Sequence, residues 1–132
     1  MVTFEWRGAF DNAEVNALHA QAFETRVYDE TEWNWEQLLA RHSLGWVVER
    51  DDDVLVGFVN VLWDGLVHAW LQDTMVGPRG YGIGTRLVAV ARDAARDAGC
   101  EWLHVDFDER LGPFYFDACG FTPTAAGLLA LR

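Results

Sequence analysis

The chain has 132 residues, 51% of them apolar, and a formal charge of −11 at pH 7. That length supports one domain over residues 1–132 with a real core, and that composition excludes a disordered chain. The acidity excludes a nucleic-acid binder, which needs a basic face; it suits a cationic partner, and plain solubility accounts for it as well.

The elements follow from periodicity. Residues 2–6 alternate apolar and polar, a first strand. Asp11 or Asn12 caps a helix in which Val15, Leu18, Ala22 and Phe23 recur at helical spacing. After a polar stretch over 25–32, Thr31 caps a second helix through His42, which Gly45 ends. A strand begins over 46–49, and Asp51, Asp52 and Asp53 make a hairpin turn into a strand over 54–63. Asp64 and Gly65 turn the chain again, into a long strand over 66–76.

Past a glycine-rich segment, Ile83, Leu87, Val90, Ala91, Ala94 and Ala98 mark the apolar face of a third helix, closed by Gly99. A strand over 101–108, a short helix over 109–119 and one or two short strands from Gly120 complete the chain. The strands over 66–76 and 101–108, joined by a crossover helix, are expected to run parallel.

No apolar run is long enough to cross a bilayer, and MVTFEWRGAF lacks the basic and apolar segments of a secretion signal, so a cytoplasmic protein off the membrane is expected. Cys100 and Cys119, without C-x-x-C spacing, read as free thiols. All ten basic residues are arginine, a mark of a GC-rich bacterial genome. With no H-x-H or H-E-x-x-H spacing, a metal is not expected.

The segment VGPRGYGIGTRL, residues 76–87, places four glycines at the mouth of the third helix. Bare backbone and unpaired helix N–H groups suit an anion. A Walker A loop is excluded, because Ile83 stands where its lysine belongs. A dinucleotide fingerprint from Gly80 meets Thr85 where glycine or alanine is needed, although Asp106 lies about 20 residues on, where a ribose-binding carboxylate would sit. An ordinary capping turn is the plain alternative.

The third reading is Arg79-x-x-Gly82-x-Gly84 after a strand ending Val76-Gly77-Pro78. With PFYFDACGF (113–121) downstream, this arrangement resembles the GNAT superfamily of acyl-CoA-dependent N-acetyltransferases, over nearly the whole chain. The resemblance implies an α/β (α+β) fold whose mixed twisted sheet has two parallel strands splayed apart, flanked by about four helices. It also implies acetyl-CoA as co-substrate. The pantetheine arm would lie along Thr74, Met75 and Val76, and the phosphates on Arg79, Gly80, Tyr81, Gly82, Ile83, Gly84 and Thr85. Tyr81 departs from the arginine or lysine common at its place. The anionic co-substrate would be met locally by helix N–H groups, Arg79 and Arg86.

The chemistry implied is direct attack of an amine on the thioester. The amine must lose a proton, since alkylammonium groups titrate near pH ~10. The carbonyl oxygen needs a hydrogen bond, and the leaving thiolate a proton donor. In this family a tyrosine four residues before the Gly of Gly-Phe commonly donates that proton. Here Phe116 holds the slot and Tyr115 lies one residue earlier, so either a local bulge restores Tyr115 or it is a core aromatic. Asp73, which interrupts an apolar strand, and Asp106, on the His104–Asp108 face of the next, are the candidate bases; each is equally readable as a structural carboxylate, and Asp73 as a bulge.

For the acceptor, the segment YDETEWNW (28–35) interleaves acids with Trp33 and Trp35, which suits an ammonium or merely a solvated loop. His104 and Asp108 are the other candidates. The acceptor is a small-molecule or peptide amine, with polyamine and protein lysine open. A non-catalytic acyl-CoA sensor is the rival from another class. The apolar GLLAL (127–131) in a chain with eleven residues after Phe121 leaves a sheet edge that a homodimer would cover.

Overall fold

β-Branched strands joined by tight turns account for most of the sheet. The computed structural model describes residues 1–78 and 84–132. Strand β1 (Val2–Trp6) pairs antiparallel with β2 (Ser43–Asp51), β2 with β3 (Val54–Trp63), and β3 with β4 (His68–Val76). Strand β5 (Trp102–His104) pairs parallel with β4, which gives a mixed five-stranded sheet in the order β1-β2-β3-β4-β5. The acidic triplet does make the β2–β3 turn, with Asp52 in the left-handed region at φ 53°.

Helix α1 (Asn12–Phe23) begins in a capping box: Asp11 accepts from Ala13 N–H at 2.8 Å, and the Glu14 carboxylate accepts from Asp11 N–H at 2.8 Å. Helix α2 (Trp35–His42) starts later than the expected Thr31. Asn34 is its cap, because Thr31 is held in a turn around the Asp29 carboxylate. Gly45 does not end that helix; it lies inside β2, and a Cβ there would stand 2.1 Å from the Trp6 indole.

Helix α3 (Gly84–Asp97) buries Leu87, Val88, Ala91 and Ala95, a stripe rotated from the one expected through Val90, Ala94 and Ala98. The sheet is thereby sandwiched. Val47, Val59, Val61, Ala69 and Leu71 face α3, while Val48, Phe58 and Met75 face Val15, Leu18, Trp35 and Leu39 of α1 and α2.

The C-terminal third departs most from expectation. The strand expected over 101–108 stops at His104, because the chain then leaves β4 and stacks Phe107 on Tyr115 at 4.4 Å. The helix expected over 109–119 is a 3-10 turn, Glu109–Leu111, followed by a π-helical turn, Pro113–Ala118. Residues 120–132 carry no strand, and Leu128, Leu129 and Leu131 are exposed.

Candidate active site

Strands β4 and β5 pair only from His68 to Trp70 and from Trp102 to His104. Beyond that point β4 runs on to Val76 with no strand on its β5 side among the described residues. Its backbone groups there are open to a ligand lying along the strand. A cleft of about 1340 Å³ opens at this separation, between Thr85, Arg86, Ala89 and Arg92 of α3 and the chain through His104, Asp106 and Phe107.

Within the unpaired part of β4 the register slips. Phe58 pairs with Met75 but Asn60 with Gln72, so Asp73 and Thr74 together oppose Val59: a β-bulge. Asp73 takes a left-handed φ of 55°, which aspartate tolerates better than most residues. The bulge inverts the alternation. Leu71 belongs to the α3-side core, yet Met75, four residues on, belongs to the α1-side core. The neighbours Asp73 and Thr74 therefore serve opposite faces of the sheet.

On the α3 side, Tyr115 is 5% exposed and its hydroxyl lies beside the Thr74 side chain. Burial pushes the phenol above its ordinary value, Thr74 offsets part of that, and Cys119 adds to it. The π turn explains the offset of Tyr115 from Gly120. Cys119 N–H donates to Phe114 C=O at 2.9 Å and Phe121 N–H to Tyr115 C=O at 2.9 Å, ladders longer than an α-helix allows. This extra residue per turn brings Tyr115 inward and leaves Phe116 on the surface, edge-on to Phe107 at 5.1 Å.

On the α1 side, burial pushes the Asp73 carboxyl above its ordinary value, and His19 and Asn60 act in the opposite direction. His19 is 7% exposed, ringed by Phe23, Tyr28, Trp33 and Trp35 at centroid distances of 4.9, 5.8, 5.2 and 5.8 Å. Its Nδ1 is buried without a hydrogen bond, as are Asn60 Nδ2 and Trp33 Nε1. Sequence reading missed His19 and Asn60 as site residues, since no motif surrounds either.

The other candidate residues divide. Trp35 is fully buried in the core and donates its indole N–H to Asn16 at 2.8 Å, so it offers nothing to an acceptor. Trp33 lies above it, stacked between Trp35 and Tyr28. The acids of this segment are largely spent on the loop itself: Asp29 holds Thr31 and Glu32, and Glu32 pairs with Arg26. His104 sits where β4 and β5 part, stacked on Trp70 at 4.8 Å and hydrogen-bonded to His68 Nδ1 at 2.8 Å. Asp106 is exposed and lines the cleft. Asp108 caps the 3-10 turn, accepting from Arg110 N–H at 3.0 Å.

Of the candidate phosphate residues, Arg79, Gly80, Tyr81, Gly82 and Ile83 lie outside the described residues. Thr85 stands exposed on the first turn of α3 and lines the cleft. Gly84 is bare for a packing reason: a Cβ there would stand 3.2 Å from the Phe114 ring. The Met75 side chain belongs to the core, so only its backbone is available to a ligand.

One more buried acid was not anticipated. Glu49 on β2 is 0% exposed, both carboxyl oxygens lack a hydrogen bond, and Oε1 occupies the space over Gly57. Burial pushes it up to about 7, with Arg86 opposing. Among the described residues no group of three or more metal-ligating side chains gathers, and no helix is long and apolar enough to cross a membrane.

Residues 12–121 match the acetyltransferase (GNAT) family. A GNAT family acetyltransferase of Streptococcus pneumoniae is similar in structure, with a TM-score of 0.73 at 26% identity over 100% of this chain and 98% of that one. An acetyltransferase of Trypanosoma brucei gives 0.79 at 20% identity over 98% and 99%. AAC(6')-Iy, solved with the bisubstrate analogue CoA-S-monomethyl-acetylneamine, gives 0.77 at 17% identity over 100% and 98%. No curated protein sequence matches the chain.

Proposed function

Because the chain belongs to the GNAT family of acetyltransferases, we propose that it transfers an acetyl group from acetyl-CoA to a primary amine by direct attack in a ternary complex. The observation that carries this reading is the bulge in β4, which turns Asp73 to one face of the sheet and Thr74, with Tyr115, to the other. An acid and a base are thereby held on opposite sides of one open strand edge, as attack from one side and departure from the other require.

Acetyl-CoA supplies the activated acetyl thioester. The open edge of β4 at Thr74, Met75 and Val76 offers main-chain groups to its pantetheine arm. The first turn of α3, with Gly84, Thr85 and Arg86, offers N–H groups and positive charge to its phosphates. Such local positive groups answer the mismatch between an anionic co-substrate and a chain of charge −11. A main-chain N–H freed by the bulge would serve as the donor that a thioester oxygen needs as it gains charge.

Asp73 takes a proton from the arriving ammonium, and the Tyr115 hydroxyl gives one to the departing thiolate. Asp106 and His104 line the cleft on the α3 side, where the co-substrate lies, and a small-molecule or peptide amine reaches Asp73 from the α1 side. The exposed outer edge of β5 and the leucines of 127–131 support a homodimer, which a monomer mass in light scattering at high micromolar concentration would exclude.

Isothermal titration with acetyl-CoA, followed by thiol release against an amine panel, tests the reading. Micromolar binding with release on at least one amine is expected. Binding without release on any amine would favour the non-catalytic acyl-CoA sensor, and no binding would overturn both.

A further inference from the structure

We infer that His19 is the positioning partner of Asp73, the two forming a couple across α1 and β4 in which Asp73 meets the acceptor and His19 stores the proton. The inference rests on the acetyl-transfer reading for its role, but the couple itself can be measured without turnover.

A buried ring nitrogen without a hydrogen bond costs roughly 1–3 kcal/mol, so its retention calls for an explanation. His19 Nδ1 is such an atom, in a ring that aromatic groups close off on several sides. Helix α1, which carries His19, packs against β4, and the bulge there holds the half-buried Asp73 carboxyl. Among the described residues, His19 is the ionisable group that lowers Asp73 and Asn60 the neutral one. Tyr28, from the loop before α2, is the other titratable group facing the imidazole.

The proton balance favours two groups over one. A lone carboxylate is a weak base for an ammonium of pKa near ~10, whereas imidazole is the side chain that changes charge near neutral pH. The ammonium loses its proton to the couple. Asp73 stays ionised, His19 becomes imidazolium, and the freed amine lone pair attacks the thioester carbon. Carboxylate and imidazolium then hold each other until the proton leaves to water.

Replacing the imidazole by a neutral group tests this in two ways. In His19→Asn, titration of the Asp73 carboxyl carbon by NMR, without acetyl-CoA or acceptor, should move to higher pH by about a unit, because the charge that lowers it is gone. In the same variant kcat should fall about tenfold or more while acetyl-CoA affinity holds. His19→Gln repeats the measurement should the asparagine variant fail to fold. An unmoved Asp73 titration in a folded variant would overturn the couple whatever the activity. A shifted titration in an enzyme that releases no thiol would uphold the couple and sink the acetyl-transfer reading instead.

Discussion

Each face of the sheet hides a carboxyl from water, and the two have opposite fates. Glu49, on the α3 side, is sealed over Gly57 with both oxygens unbonded, and burial lifts it to about 7. Asp73, on the α1 side, is also raised by burial, but it is only partly buried, at a bulge, and a histidine and an amide act on it. Desolvation acts on both. Access belongs to one alone, so a perturbed acid identifies a site only when a ligand can reach it.

The contrast is broken most strongly at Asp73. Asp73→Asn keeps a residue that tolerates the left-handed backbone, and turnover should drop by roughly 10²–10⁴-fold with acetyl-CoA binding intact. Steady-state thiol release beside calorimetry reads this, and retained turnover would make Asp73 as inert as Glu49. Tyr115→Phe should cost turnover in the same range of about 10²–10⁴. Adding Phe116→Tyr to that variant should restore nothing, because the π turn leaves position 116 outside.

Glu49→Gln should do the reverse, changing stability and sparing turnover. An unfolded glutamate titrates near 4.5, so the folded chain holds an extra proton between about 4.5 and about 7. Stability from this group therefore falls as pH rises through that window and is level above it. The glutamine variant should be more stable at pH 8 by roughly 2–3 kcal/mol and nearly unchanged at pH 4. Denaturant midpoints at the two values decide; equal midpoints at pH 8 would mean that Glu49 is not isolated.

The smallest effect is at the start of α3. Gly84→Ala should cost about 1 kcal/mol in thermal unfolding, since its methyl meets Phe114. A variant here mixes packing with phosphate contact, so a binding loss counts only after that cost is measured.

What was legible in the sequence was local. Asp73 broke an apolar alternation, and the break is a bulge. The capping box at Asp11 and the turn at Asp52 were written in adjacent letters. Residues that depend on distant packing were not. His19 looks like any helical histidine until Tyr28, Trp33 and Trp35 close around it. Trp35 reads like Trp33, and only the Asn16 bond and the core separate them. The strand over 101–108 was overlong because alternation continues in the letters after pairing has stopped at His104. The π turn left no mark beyond the one-residue offset of Tyr115.

The left-handed backbone at Asp73 also bears on how this lineage can drift. Few side chains sit there without strain, chiefly asparagine and glycine beside aspartate. Both are carboxyl-free, so the substitutions the fold accepts most easily are those that silence the chemistry. A descendant could lose the proposed catalysis in one step and keep its shape, its core and its cleft. An inactive binding protein is thus one substitution away from the proposed acetyltransferase.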